Sequence, residues 1–152
     1  MKLVSPNQSH IAEISGWVTN QADLIKWAGP GFRYPFTIET FTEDLNLERL
    51  ASYCLIDERE QLLAFGQCYQ RIGRCHLGRL IVNPSLRGQG IAKQLINKLM
   101  DSGFSAFNTV EASLFVLADN ESAIKAYTKL GFLLSEYPEP IPIDNCLYMI
   151  KQ

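Results

Sequence analysis

The segment Leu80-Ile81-Val82-Asn83-Pro84-Ser85-Leu86-Arg87-Gly88-Gln89-Gly90-Ile91-Ala92 constrains this chain more than any other. Leu80 to Val82 reads as the end of a strand. Asn83-Pro84 stops it, because proline removes a ladder donor and restricts the residue before it. Gly88 to Ser102 reads as a helix, with Ile91, Leu95, Ile96, Leu99 and Met100 on one face. A strand, a glycine-rich loop and a helix in this order make an anion site. The unpaired amides of a first helical turn point outward, and the dipole adds about half a positive charge there. Glycine at 88 and 90 lets the backbone approach a phosphate closely, and Arg87 adds charge-assisted hydrogen bonds. A loop of this kind also serves as a plain tight turn, so alone it names no ligand. A dinucleotide fingerprint needs G-x-G-x-x-G early in a parallel unit, and a Walker loop needs Gly-Lys-Ser/Thr. Neither pattern is present.

The rest of the chain alternates short strands and helices. Lys2 to Val4 reads as a strand, Gln8 to Val18 as a helix, and Ile38 to Leu50 as a second helix capped by Thr37. The proline- and glycine-containing stretch Trp27 to Phe36 reads as a loop between them. Tyr53 to Ile56, Leu62 to Gln70 and His76 to Val82 form an antiparallel meander. After the helix from Gly88, Val110 to Leu117 is a strand, Glu121 to Leu130 a helix stopped by Gly131, and Phe132 to Tyr137 and Leu147 to Ile150 two last strands. The only long helical crossover before a neighbouring strand joins 76–82 to 110–117, so those two run parallel in an otherwise antiparallel sheet. The expectation is an α/β (α+β) chain. One mixed, mostly antiparallel sheet of about six to seven strands is flanked by about four helices.

Composition excludes several alternatives. The chain has 152 residues, enough for one domain over 1–152, with 47% hydrophobic and 20% charged residues. A net charge of -2 argues against a nucleic-acid partner. No apolar run reaches the roughly 18 to 20 residues that span a bilayer, and the N-terminus does not read as a secretory signal. Cys54, Cys68, Cys75 and Cys146 have no metal-ligand spacing. They read as reduced thiols of a cytoplasmic protein, with no metal.

The loop resembles the pyrophosphate loop of the GNAT N-acetyltransferases, Arg/Gln-x-x-Gly-x-Gly/Ala, which Arg87, Gly90 and Ala92 fill. The stretch from Leu114 to Phe132 resembles the closing signature of the same family: a strand, then Asn120, Ala126, Tyr127 and Gly131-Phe132. The motifs cover Leu77 to Phe132, and the first half agrees in element order. The resemblance implies an acetyl-CoA site where the parallel strands splay apart. Leu80, Ile81 and Val82 would pair with the pantetheine arm. The amides of Arg87, Gly88, Gln89, Gly90, Ile91 and Ala92 would hold the pyrophosphate. Asn120 would bind the arm or help set the splay, and Tyr127 would stand near the thioester sulfur as general acid. Many members form homodimers through their last strands, and this chain has the strands to do so.

The implied reaction is direct attack of a primary amine of a small molecule, such as an amino acid, polyamine or amino sugar. Acetylation of a peptide amine and a non-catalytic acetyl-CoA sensor are the alternatives. A lysine-like amine with a pKa of about 10.4 costs roughly 4.6 kcal/mol to deprotonate at pH 7, whereas an α-amine at about 7.8 costs about 1 kcal/mol. His76, on the strand leading to the loop, is the candidate base, because an ordinary histidine titrates near 6.5. Trp27, Phe32 and Tyr34 are candidates for the acceptor wall, and Arg33 for an acceptor carboxylate or phosphate. The acidic run Glu39, Glu43, Asp44 and Glu48 reads as a solvated face or an attractor for a polyamine.

Overall fold

The computed structural model describes residues Met1–Gln152. Strand β1 (Lys2–Val4) leads into helix α1 (Gln8–Trp17). Asn7 caps that helix by accepting from the His10 amide at 2.8 Å, and the His10 ring returns a bond to the Asn7 amide. Helix α2 (Gln21–Ala28) is capped by Asn20 and ended by Gly29, whose φ of 76° suits glycine. Helix α3 (Ile38–Leu45) has the expected Thr37 cap.

Three expectations change here. There are five helices rather than about four, and Trp27 and Ala28 belong to α2 rather than to a loop. Helix α2 has only eight residues and ends on a Gly-Pro-Gly turn, so it offers little more than two turns of pattern to read. Helix α3 stops at Leu45, not Leu50, because Asn46 turns left-handed at φ 55°.

Strands β2 (Ala51–Ile56), β3 (Leu62–Arg71) and β4 (Arg74–Val82) make the meander. Helix α4 (Ile91–Phe107), β5 (Ala112–Leu117), helix α5 (Glu121–Lys129), β6 (Leu133–Ser135) and β7 (Cys146–Lys151) follow. The seven strands lie in one sheet, in the order β1-β2-β3-β4-β5-β7-β6. Helices α1 to α3 pack on one face around Phe41, Leu45, Phe65 and Ile81. Helix α4 packs on the other through Leu95, Ile96 and Leu99 against Leu63, Leu77 and Leu114.

The expected parallel pair is present and short. β4 meets β5 at Cys75↔Ala112, His76↔Ser113 and Leu77↔Leu114, and the ladder stops there. Beyond it Arg79 has a left-handed φ of 51°, and the β3–β4 register slips between Phe65 and Gln67. This irregularity turns the end of β4 away from β5. Its other edge stays paired with β3, through Phe65↔Ile81 and Ala64↔Val82.

Candidate active site

The splay opens a cleft of about 1190 Å³ between β4 and β5, continuing to the start of α4 on one side and to α2 on the other. Leu80, Ile81 and Val82 line it. Their β5-facing backbone groups have no partner strand, because the parallel ladder ended at Leu77. They are a free strand edge that an extended amide chain can pair with.

The anion loop follows at once. Asn83 anchors it. Its side-chain amide donates to the Leu62 carbonyl at 3.1 Å, and its oxygen accepts from Ser85 Oγ at 2.8 Å and Ser85 N at 3.1 Å. A 3₁₀ turn, Pro84–Leu86, carries the chain to Arg87. Gly88 and Gly90 take φ of 81° and 77°, values a side chain would strain. Gly90 caps α4 without a side-chain hydrogen bond, so the first amides of this 17-residue helix stay open. Arg87, Gly88, Gly90, Ile91 and Ala92 border the cleft, and Gln89 does not. Helix α4 starts at Ile91 rather than Gly88 because the glycines are spent on the loop.

Helix α5 forms the opposite wall. Asn120 stands at its N-terminus with no capping bond, and its oxygen accepts only from Ser122 Oγ at 3.3 Å. Tyr127 lies two turns on, its ring edge-on to Phe132 at 6.1 Å. Burial pushes its phenol up to about 12, so it is fully protonated at neutral pH.

The sheet face beside the splay holds His76, Tyr69, Phe115 and Arg71. His76 is 2% exposed, with Nδ1 2.8 Å from Ser113 Oγ. Its ring sits 4.6 Å from Phe115 and 5.2 Å from Tyr69. Burial first, and the nearby Arg71 charge second, lower its pKa to about 3. The premise of a histidine poised at neutral pH fails for this reason. His76 borders the cleft as a neutral ring with little capacity to take an ammonium proton.

The four residues expected in the acceptor wall separate. Trp27 borders the cleft, stacked on Phe41 at 5.8 Å, and its buried Nε1 has no partner. Phe32 points into the α1–α3 core instead. Arg33 is turned outward, with Nη2 3.0 Å from Asp44 Oδ1 and 3.6 Å from Glu43. Tyr34 is 40% exposed and packs on Phe36. None of these last three reaches the cleft. The acidic run, Glu39, Glu43 and Asp44 on α3 and Glu48 beyond its end, does not either, and two of its members serve Arg33. Sequence reasoning missed the cleft residues Arg71 and Arg79. The alternation of β3 from Phe65 would have put Arg71 on the face of Tyr69.

The family model described as the acetyltransferase (GNAT) family matches residues 22–132, most of the chain. The chain belongs to the acetyltransferase (GNAT) family. A crystal structure of spermidine N-acetyltransferase from Vibrio cholerae with CoA and spermine superposes with a TM-score of 0.75. It is 20% identical, over 98% of this chain and 93% of that one. This GNAT fold is therefore shared end to end. Spermidine N(1)-acetyltransferase of Escherichia coli K12 is 39% identical over 54 residues, 36% of this chain and 29% of that enzyme. The catalytic subunit NAA20 of the N-terminal acetyltransferase B complex of Arabidopsis thaliana is 39% identical over 59 residues, 39% of this chain and 34% of that protein. The chain matches only about a third of the length of these curated relatives. One is named for a polyamine and the other for protein N-termini, so kinship does not select an acceptor. No helix is long and apolar enough to cross a membrane.

Proposed function

We propose that residues 1–152 form an acetyl-CoA-dependent N-acetyltransferase that moves an acetyl group by direct attack onto a primary amine of a small molecule. The observation that carries this is the continuity of the cleft. A free strand edge at Leu80 to Val82 runs straight into an uncapped helix start at Gly90, and Tyr127 faces it from α5. The strand edge suits the two amides of a pantetheine arm. The open amides, with Arg87, suit its pyrophosphate.

In the reaction the amine lone pair forms the N–C bond, the thioester carbonyl oxygen gains charge, and the C–S bond breaks. A backbone amide on the free edge near Val82 stabilises the oxygen. One proton leaves the attacking nitrogen and one arrives at sulfur. A thiolate, whose thiol titrates near 8.5, is a weaker base than a phenolate whose phenol titrates near 12, so Tyr127 does not end the step as phenolate. It donates a hydrogen bond to the departing sulfur and relays the nitrogen's proton.

The test is thiol release from acetyl-CoA across a panel of primary amines. Tyr127→Phe is expected to lower kcat by roughly a hundredfold while acetyl-CoA affinity stays within about twofold. An unchanged kcat removes Tyr127 from the chemistry, and acetyl-CoA binding with no turnover on any amine leaves a sensor. The kcat profile is also expected to show no falling limb from Tyr127 between pH 7 and about 11, since its phenol stays protonated there. The four free thiols support a cytoplasmic setting. The edge strand β6, with Leu133 70% and Leu134 62% exposed, supports pairing of two copies. Sedimentation of Leu133→Lys checks that pairing.

A further inference from the structure

We propose that the acceptor amine carries a carboxylate, which the Arg71 guanidinium receives, with Arg79 adding a second positive charge on the same wall. This rests on the N-acetyltransferase reading and names its substrate class.

Arg71 is fixed but not neutralised. Its Nε donates to the Tyr69 hydroxyl at 3.2 Å and its Nη1 to the Tyr137 hydroxyl at 3.0 Å. The guanidinium lies 5.3 Å from the Phe115 ring centre and 5.4 Å from that of Tyr69. All these partners are uncharged. A guanidinium has five N–H donors, so three remain for a ligand. Its planar fork matches a carboxylate edge-on. Arg79 repeats the pattern. Its Nη1 donates to Gln67 Oε1 at 2.9 Å and to the Leu45 carbonyl at 3.2 Å, and it sits 4.8 Å over Phe32. The nearby carboxylate of Asp44 is already bonded to Arg33. The ion pairs of the chain fall on Arg33 and Arg74, outside the cleft.

The single carboxylate bordering the cleft is Asp23, exposed on α2 and accepting from Asn20 and Thr19. A polyamine would bring several cations to a wall that already holds two. A carboxylate-bearing amine brings the missing anion. The charge of Arg79 is left uncancelled by that carboxylate and disfavours an ammonium on the same wall, which eases loss of the amine's proton to solvent. The position is right for this: Arg71, His76 and Phe115 share the sheet face where the β4–β5 ladder ends, beside the acetyl end of the strand-edge site.

The experiment is calorimetric titration of the CoA-saturated protein with matched pairs of α-amino acids and their carboxamides, plus spermidine. Thiol release with acetyl-CoA is measured on the same set. The carboxylates are expected to bind at least about tenfold more tightly than the carboxamides, as a charge-assisted pair implies, and spermidine most weakly. Arg71→Gln is expected to erase that preference by weakening the carboxylates alone, and Arg71→Lys to keep part of it. Unchanged carboxamide affinity in Arg71→Gln certifies an intact cleft. Spermidine binding as tightly as the carboxylates, a preference that survives Arg71→Gln, or no binding by any member overturns the proposal. Thiol release that is fastest with spermidine removes the acceptor class and leaves the transferase reading standing. A carboxylate preference without any thiol release does the reverse.

Discussion

His76 shows how burial decides chemistry that residue type leaves open. The sequence puts a histidine on the strand before the anion loop, and strand alternation puts it on the face of Tyr69 and Phe115. Both were legible. Its enclosure by Phe115, Tyr148 and Tyr69, which sets its pKa, comes from three different strands and was not. Folded His76 stays neutral down to about pH 3, whereas the unfolded side chain takes a proton near 6.5. Between those values the unfolded state binds one proton more, so His76 contributes stability above pH 6.5 that is lost as pH falls. The slope is about 1.4 kcal/mol per pH unit. Urea unfolding of wild type and His76→Gln between pH 4 and 7 checks this. The two stability curves are expected to converge toward acid by that slope. Parallel curves would mean that His76 titrates normally, and its candidacy as base would return.

At the scale of elements, readability followed how sharply a segment's pattern was set by its own residues. The α4 face from Ile91 to Met100 was plain because five large apolar side chains there are buried in helical register. The meander and the parallel strand pair followed from turn residues and crossover length. Helix α2 was lost although Leu24, Trp27 and Ala28 hold helical spacing against the α1–α3 core, because it spans only eight residues and runs into the Gly29-Pro30-Gly31 turn. The displaced acceptor wall is a consequence. With Trp27 in a helix, Phe32 turns into the core and Arg33 meets Asp44, an ion pair eleven residues apart that no local pattern announces. Gly103 carries the opposite lesson. The expected helix ends at Ser102, just before it, yet Gly103 lies inside α4, which runs on to Phe107. A Cβ there would collide with the buried sulfur of Cys75 on β4, so glycine is what lets the helix lie close to the sheet. Gly103→Ala gains helix propensity of up to about 1 kcal/mol but overpacks this contact. The expected net loss is about 1–2 kcal/mol, a fall in Tm of roughly 2–8 °C by calorimetry. A rise in Tm would mean that Cys75 has room to move.

For the whole molecule, the decisive feature is a sheet left unfinished in its middle. Seven strands hydrogen-bond neighbour to neighbour across one sheet, but β4 and β5 share only three register pairs. The edge exposed there is enclosed by α2, α4 and α5 rather than by another strand. An interior edge costs the unliganded fold its missing ladder bonds, and a ligand that supplies them returns that stability. Acetyl-CoA at about 100 times its dissociation constant adds roughly 2.7 kcal/mol, which raises Tm by about 5–11 °C for a domain of this size. ATP and NAD carry phosphates without a pantetheine arm, so they reach the loop but not the edge and should raise Tm far less. Hydrogen exchange separates the two contributions. Acetyl-CoA is expected to slow exchange at the amides of Arg79 to Val82 together with those of Ile91 to Lys93, and ATP to slow the second group alone. Equal protection by both ligands would reduce the loop to a general anion site. The unfinished sheet would then need another occupant.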